Sequence, residues 1–230
     1  MHLIFVDLFG EVARVNILFM GPPGAGKGTQ AQKIASLHGI PHISTGDVFR
    51  QNMKQETPLG LQVKSYVDNG LLVPDELTNA LIRDRLAEAD CAKGFILDGY
   101  PRTTAQAEEL DRVLAAMNRK VDAVLNLVVD RNLLLARLTG RRVCRSCGTS
   151  FHILFNPPKQ SGVCDKCGGE LYQRGDDTEE KVGTRLDEYE KKTAPLLDYY
   201  RNKGNLRNIN GEQDIDRVTE DIQAILKELA

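Results

Sequence analysis

The strongest constraint on the fold of this chain is a glycine-rich turn between an apolar segment and a helical pattern. The apolar residues 15–20 are followed directly by Gly21-Pro22-Pro23-Gly24-Ala25-Gly26-Lys27-Gly28-Thr29. A buried strand that turns through glycines into a helix points successive backbone N–H groups at one spot. The helix N-terminus adds a partial positive charge there, and Lys27 adds a full one. The sequence therefore predicts a site for the phosphate chain of ATP or GTP.

One position departs from the usual form of this motif. A Ser or Thr normally follows the lysine, where its hydroxyl binds Mg²⁺. Here Gly28 holds that position and Thr29 comes one place later. We therefore expect Mg²⁺ to be held by phosphates and water, because this ion gives up its water ligands reluctantly.

Apolar runs and helical patterns alternate along the rest of the chain, as in sheets covered on both faces by helices. The predicted strands are 15–20, 41–44, 94–98, 123–129 and 206–209, and the predicted helices are 26–38, 75–89, 103–117, 130–140, 178–200 and 214–229. This pattern predicts an α/β fold of the P-loop NTPase type, with a parallel five-stranded sheet and helices on both faces.

Two segments interrupt the alternation. Residues 44–73 carry short helical patterns without a core strand, and residues 141–176 hold most of the cysteines together with clustered glycines and prolines. We expect residues 15–230 to form one core with insertions at 44–73 and 140–177. Residues 1–14 are expected to be an appendage, to which we give no role.

The cysteines of the second insertion have the spacing of a metal site. They form a Cys-x2-Cys-x16-Cys-x2-Cys pattern of Cys144, Cys147, Cys164 and Cys167. Two such pairs can place four thiolates tetrahedrally on one zinc ion, which leaves no open position for catalysis and makes the zinc structural. The spacing alone leaves iron, or a pair of disulfides, as alternatives. The fifth cysteine, Cys91, has no partner in the sequence and is expected to be inert core.

The charge and apolar content of the chain indicate which kinds of partner it can bind. Thirty basic and 32 acidic residues give a net charge of −2, whereas a general nucleic-acid or membrane-surface binder needs a basic excess. No run of eighteen apolar residues exists, and residues 1–14 lack the features of a signal peptide. We therefore expect a cytoplasmic protein with no nucleic-acid and no membrane partner.

Several further motifs stand in a family order. The loop reads Gly-x-Pro-Gly-x-Gly-Lys-Gly-Thr-Gln, and it is followed by Ser44-Thr45-Gly46-Asp47 with Arg50, by residues 70–75, by Asp98-Gly99-Tyr100-Pro101-Arg102, by Gly140-Arg141-Arg142 and by residues 174–177. With these motifs the chain resembles the adenylate kinase family from about residue 15 to its end, in the bacterial form that carries a long zinc-binding lid.

The resemblance implies reversible, Mg²⁺-dependent phosphoryl transfer between ATP and AMP to give two ADP, by an enzyme that we expect to be a monomer. Such transfer rests on bringing two anions into line and neutralising charge, for which the rigid fork of arginine is well suited. The resemblance assigns catalysis to Lys27, Asp98, Arg102, Arg141, Arg174 and Arg185. It assigns ATP binding to residues 24–29 with Arg137, Arg141, Ser150, Phe151 and Gln213, the last through its main-chain carbonyl. It assigns AMP binding to Thr45, Arg50, Leu71, Leu72, Val73, Gly99, Tyr100, Pro101, Arg102, Gln106, Arg174 and Arg185.

Some roles and alternatives stay open at this stage. Asp98 ends an apolar strand and is expected to orient Mg²⁺-bound water, with capping of the next turn as the alternative. Asp176 and Asp177 either pair with arginines or serve as acids at a helix N-terminus. For the whole chain, the alternatives are a kinase of UMP, CMP or GMP, a zinc-ribbon nucleic-acid-binding protein, and a P-loop switch.

Overall fold

The computed structural model describes residues 15–229, so the expectation for residues 1–14 lies outside the described residues. The strands are β1 (Val15–Met20), β2 (His42–Ser44), β3 (Gly94–Asp98), β4 (Ala123–Val128), β5 (Arg141–Cys144), β6 (Ser150–His152), β7 (Leu171–Tyr172) and β8 (Leu206–Asn210). The helices are α1 (Lys27–His38), α2 (Thr45–Lys54), α3 (Pro58–Asp68), α4 (Asp75–Leu86), α5 (Thr104–Ala116), α6 (Arg131–Thr139), α7 (Glu179–Glu188), α8 (Leu196–Asn202) and α9 (Ile215–Lys227). A 3₁₀ helix at Ala89–Lys93 and a π-helical turn at Tyr189–Thr193 complete the described elements. None of the helices in this part of the chain is long and apolar enough to cross a membrane.

The core is a parallel sheet, in the order β2-β3-β1-β4-β8 within residues 15–229. Because side chains alternate along a strand, Ile17 and Phe19 of β1 enter the core on the side of α1, α6 and α9, whereas Leu18 and Met20 enter the core on the side of α4, α5 and α8. The predicted parallel five-stranded sheet with helices on both faces is therefore confirmed.

The segment 44–73, which we call the arm, is a pair of helices. Its first helix begins at the end of β2, because the Ser44 side chain accepts a hydrogen bond from the Asp47 N–H at 3.3 Å and so caps α2. A small apolar core of its own, built around Phe49, Val63 and Val73, joins α2 to α3. The arm therefore projects from the carboxyl edge of the sheet.

The segment 140–177, which we call the lid, carries a second, antiparallel sheet. Its described strands lie in the order β6-β5-β7. Its core consists of Cys144, Phe151, Cys164 and Leu171, which is little apolar surface for a separate folding unit. Two of these core residues are cysteines, so metal binding and packing share one location.

The single helix predicted at 178–200 is wrong. The structure divides this stretch into α7, the π-helical turn at Tyr189–Thr193, and α8. Pro195 lacks an N–H and cannot continue the helical hydrogen-bond ladder. The Ala194 N–H instead donates to the carbonyl of Tyr189 at 2.8 Å, five residues earlier, which is the widened turn of a π-helix.

Candidate active site

The phosphate loop joins β1 to α1 at the carboxyl edge of the sheet. Gly24 and Gly26 have φ of +85° and +96°, which residues with a Cβ rarely adopt. Within the described residues, no side chain caps α1 at Gly26, so the first N–H groups of this helix are left for a ligand. The Lys27 ammonium donates to the carbonyls of Gly21 at 2.7 Å and Pro22 at 2.9 Å, and so lies across the loop.

The ammonium group of Lys27 has a pKa close to neutral pH. Burial lowers the pKa of its ammonium to about 8, and the positive charges of Arg102 and Arg185 act in the same direction while Asp98 opposes them. A phosphate at this position would favour the protonated form. The loop therefore combines oriented N–H groups with a lysine whose charge an anion would stabilise.

Asp98 ends β3 beside the loop. Burial alone would raise the pKa of its carboxyl, but the adjacent imidazole of His42 and the charge of Lys27 hold this pKa below its ordinary value. His42 Nε2 lies 3.4 Å from Asp98 Oδ2. Asp98 is therefore an ionised carboxylate that faces the cleft. The sequence did not identify His42 as its neighbour, because only the pairing of β2 with β3 brings the two residues together.

A cleft of about 1260 Å³ opens over this edge of the sheet. It is lined by every residue that the sequence predicted for catalysis and for ATP: Gly24, Ala25, Gly26, Lys27, Gly28, Thr29, Asp98, Arg102, Arg137, Arg141, Ser150, Phe151, Arg174, Arg185 and Gln213. The core, the lid and α7 each contribute to that set. The structure thus brings together side chains that are up to 189 positions apart in the sequence (24 to 213).

Six arginines line the cleft, and four of them, which the sequence predicted for catalysis, are Arg102, Arg141, Arg174 and Arg185. Burial and the neighbouring Arg185 lower the pKa of Arg102 to about 10, and burial and Arg50 lower that of Arg174 to about 10. Arg141 and Arg185 are the other two, and both lie within interaction range of Lys27. Like charges held this close repel one another, so a bound polyanion would relieve a cost that the free protein bears.

Buried carboxylates hold two of these arginines in place. Asp177, which is fully buried, accepts hydrogen bonds from Arg141 Nε at 2.8 Å, from Arg141 Nη2 at 2.5 Å and from Arg185 Nη1 at 2.9 Å. Asp176 also contacts Arg185, at 3.1 Å. Arginine pairing is therefore the observed role of both aspartates, and the acids in the first turn of α7 are Glu179 and Glu180 instead.

A smaller cavity of about 80 Å³ lies between the arm and β3. Its wall includes nine of the residues predicted for AMP, namely Thr45, Arg50, Leu71, Leu72, Val73, Gly99, Arg102, Gln106 and Arg185. The other three lie elsewhere. Pro101 and Arg174 line the larger cleft, and Tyr100 is buried behind the cavity, where its hydroxyl donates to Asn79 Oδ1 at 2.7 Å.

Hydrogen bonds fix the polar side of the smaller cavity. Thr45 Oγ1 donates to the Gly99 carbonyl at 2.9 Å, and Gln106 Oε1 accepts from the Arg102 N–H at 2.7 Å. The Gln106 amide in turn donates to Asp75 Oδ1 at 2.7 Å. Asp75 is a positioning residue that sequence reasoning missed, because an acid in the first turn of a helix is already explained by the helix dipole.

The wall of the cleft that is predicted to bind the adenine of ATP is formed by α6 and by the chain after β8. Arg137 Nη1 donates to the Gly211 carbonyl at 2.8 Å, which places its guanidinium beside Gln213 on the cleft wall. The Gln213 amide is turned away and donates to Asp221 of α9 at 2.7 Å. Its side chain is therefore already engaged, which leaves its main chain for a ligand.

The four lid cysteines fit a tetrahedral metal. Their Sγ atoms all lie within 4.8 Å of one another, with 3.5 Å between Cys144 and Cys167 and 3.6 Å between Cys147 and Cys164. Four sulfurs at 2.3 Å from a zinc ion are about 3.8 Å apart, so the arrangement needs little change to bind one. The donor set suits structural zinc, and it leaves no coordination position for a substrate.

His152 lies outside this cluster. Its Nδ1 accepts hydrogen bonds from the N–H groups of Leu154 at 2.9 Å and Phe155 at 3.0 Å, and its Nε2 faces the Ala136 carbonyl at 3.2 Å. The imidazole therefore connects the lid to the end of α6 as a neutral ring. Burial lowers its pKa, in agreement with this tautomer.

The fold and this site define a class. A parallel sheet with a phosphate loop at its carboxyl edge, a cleft lined by cations and a second cationic cavity beside it characterise a P-loop phosphotransferase that binds two phosphate-bearing ligands. The sequence profile of the adenylate kinase family matches residues 19–205.

Individual relatives agree over almost the whole chain. An adenylate kinase of a Geobacillus species is 59% identical over 212 residues, which cover 92% of this chain and 98% of the relative. Those of Bacillus mycoides and Symbiobacterium thermophilum are each 57% identical, over 94% and 93% of this chain and 100% and 99% of the relatives. This chain belongs to the adenylate kinase family.

Proposed function

We propose that this protein is an adenylate kinase, which transfers a phosphoryl group reversibly between MgATP and AMP to give two ADP and so balances the adenine nucleotide pool. One observation carries the proposal. The wide cleft over the phosphate loop and the small cavity under the arm share Arg102 and Arg185, so that two anionic ligands would meet at the same arginines.

The donor nucleotide binds on the loop side. The N–H groups of residues 24–29 and the Lys27 ammonium hold its phosphates. Arg137 stacks on the adenine, and the Gln213 carbonyl accepts from the adenine amino group. Ser150 and Phe151 contact the nucleotide from the lid, where β6 borders the cleft.

The acceptor AMP binds under the arm. Arg50 and Arg102 grip its phosphate, and Thr45 and Gln106 seat the base with the backbone of Leu71, Leu72 and Val73. The lining of the cavity by Thr45, Arg50 and Gln106 supports an acceptor that carries both a base and a phosphate. Gly99 forms part of its wall, and Tyr100 and Pro101 support the same turn from a buried position and from the wide cleft. Arg174 and Arg185 reach the phosphate from the lid side.

Transfer depends on charge neutralisation at the meeting point. Arg102, Arg141, Arg174 and Arg185 stabilise the transferring group, whose equatorial oxygens carry the charge in the transition state. Mg²⁺ bound with ATP would neutralise part of the charge on the ATP phosphates. The Asp98 carboxylate would orient a water ligand of this ion, for which its ionised state and its position at the end of β3 are suited.

The arm and the lid close over the nucleotides and exclude water, which would otherwise hydrolyse ATP. The lid depends on structural zinc held by Cys144, Cys147, Cys164 and Cys167, because its apolar core is too small to stabilise it alone. Residues 15–230 thus act as one kinase core with two mobile insertions. We further propose that the protein is a cytoplasmic monomer without nucleic-acid partners, which its slightly acidic composition supports.

The test is ADP formation from ATP with AMP, UMP, CMP or GMP as the acceptor. We expect rapid turnover with AMP alone, and a loss of at least about 100-fold in Arg102→Ala, because this arginine serves both pockets. Turnover of UMP without AMP would contradict the proposal. Light scattering of the purified protein tests the monomer, and metal analysis tests for one zinc per chain.

A further inference from the structure

The presence of glycine at position 28 is not explained by its backbone conformation. It is the second residue of α1, with an ordinary helical φ, where alanine is more stable than glycine by about 0.5–1 kcal/mol. Gly24 and Gly26 of the same loop have positive φ, which accounts for glycine at their positions. Gly28 must therefore be explained by the space around it.

The space beside Gly28 is occupied by Asp98. A Cβ built on Gly28 would lie 3.3 Å from Asp98 Oδ2, and apart from its chain neighbours and the backbone of α1 no other described atom would lie within 4 Å of it. A contact of 3.3 Å is tighter than nine in ten of the contacts that real Cβ atoms make. A side chain at position 28 would therefore press on this carboxylate, which would have to give way by a few tenths of an ångström.

Asp98 has little room to retreat. Its backbone is fixed in the centre of the sheet, where β3 pairs with β1 at Phe19 and with β2 at Ser44. The imidazole of His42 lies 3.4 Å from the same oxygen, and the Asp98 side chain is only 13% exposed. Any displacement would therefore rotate the carboxylate relative to Lys27 and the phosphate loop.

We propose that Gly28 is a positioning residue, whose missing side chain leaves the Asp98 carboxylate the space beside the start of α1. Without a hydroxyl at position 28, this carboxylate would be the protein group directed at the water ligands of Mg²⁺. The inference rests on the proposed function, and it adds a constraint between two residues that are 70 positions apart in the sequence (28 to 98).

The test compares Gly28→Ala with Gly183→Ala. Gly183 also lies in a helix with ordinary φ, and a Cβ there would meet nothing within 4 Å. ATP binding is measured by calorimetry with Mg²⁺ and with EDTA. For Gly28→Ala we expect affinity within about twofold of the unaltered protein in EDTA, and an approximately tenfold loss of the Mg²⁺-dependent gain, because a misplacement of 1 Å costs up to about 100-fold and this one is smaller. Gly183→Ala should match the unaltered protein in both media.

A second comparison uses Asp98→Ala as the background. If Gly28 acts through the carboxylate, Gly28→Ala should have no further effect on Mg²⁺-dependent binding once that carboxylate is absent. An equal loss in both backgrounds, an equal loss with and without Mg²⁺, or no loss at all would overturn the proposal. Should Gly28→Ala fail to fold, folding of the double variant supports the proposal, and its failure to fold overturns it. Absence of ADP formation by the unaltered protein would instead contradict the proposed function, and the binding comparison would still be decisive.

Discussion

Replacement of Asp177 by Asn removes one negative charge from the fully buried centre of an arginine pair. The carboxylate accepts from Arg141 through both of its oxygens and from Arg185 through Oδ1. Asparagine keeps one acceptor oxygen and places an amide donor where the other was. Even in its better orientation, with the oxygen at the Oδ1 position, the amide faces the Arg141 Nε–H donor to donor.

The expected cost follows from these contacts. One hydrogen bond to a charged group is lost, at about 1.5–3 kcal/mol, and two guanidinium groups lose their counter-charge. Removing one partner of a buried ion pair costs about 3–5 kcal/mol in all. Arg141 and Arg185 keep 19% and 16% of their side-chain surface exposed to water, which favours the lower end. We expect a loss of about 3 kcal/mol from a total stability of about 5–15 kcal/mol.

Urea denaturation of the zinc-loaded protein at pH 7 measures this loss by linear extrapolation. Asp176→Asn is the matched control, because its carboxylate pairs with Arg185 alone among the described ion pairs and is 11% exposed. We expect the control to lose less, because Asp176 makes one described ion pair and the amide oxygen of the asparagine can still accept from Arg185 Nη1. A loss below about 1 kcal/mol for Asp177→Asn, or one no larger than that of the control, would refute the reasoning.

Three further predictions concern charge, metal and pH. Because the pKa of Lys27 is about 8 in the free protein, kcat/KM for ATP should fall as the pH rises above 8, and a profile that stays level to pH 9.5 would contradict this. Zinc removal by a strong chelator should unfold the lid and lower the melting temperature, and Cys167→Ser should reproduce this change without chelator, as differential scanning calorimetry can show. The pKa of His152 is lowered in the folded protein, so the unfolded chain binds the proton more tightly and stability should decrease as the pH falls below about 6.5. His152→Asn, which keeps an acceptor for Leu154 and Phe155, should weaken that decrease in denaturation curves at pH 5 and 7, and an unchanged pH dependence would exclude His152 as its source.

The sheet and the phosphate loop were predictable because their signals are local. The three central strands β1, β3 and β4 are short apolar runs, and the loop is a contiguous motif whose glycines and lysine act through their own backbone and charge. The break of the helix after residue 188 was also local in origin, since Pro195 was visible in the sequence. The form of the break could not be predicted, because after the loss of a hydrogen bond the chain can either form a π-helical turn or end the helix.

The partners of the charged side chains were not predictable in the same way. The sequence left both aspartates of the pair 176–177 with two roles, and the structure resolves them through contacts as far as 36 residues away. The contacts of Asp75 with Gln106 and of His42 with Asp98 likewise depend on which helix and which strand become neighbours. Family motifs indicated which residues matter, whereas only the packing shows what holds each of them.

The carboxylates divide the arginines of the cleft into two kinds. Arg141 and Arg185 are bound by the fully buried Asp177, and such contacts are costly to break. Arg174 and Arg50 share Asp47 instead, at 3.2 and 2.6 Å, and the Asp47 side chain is 57% exposed, so these contacts are worth about 1 kcal/mol or less. Under the proposed function, the phosphate of AMP displaces Asp47 from Arg50 and Arg174 at small cost, while Arg141 and Arg185 keep their orientation throughout. A chain with a net charge of −2 can thus hold these four arginines close together, because carboxylates offset part of their charge in the free state and only the exposed Asp47 gives way to substrate.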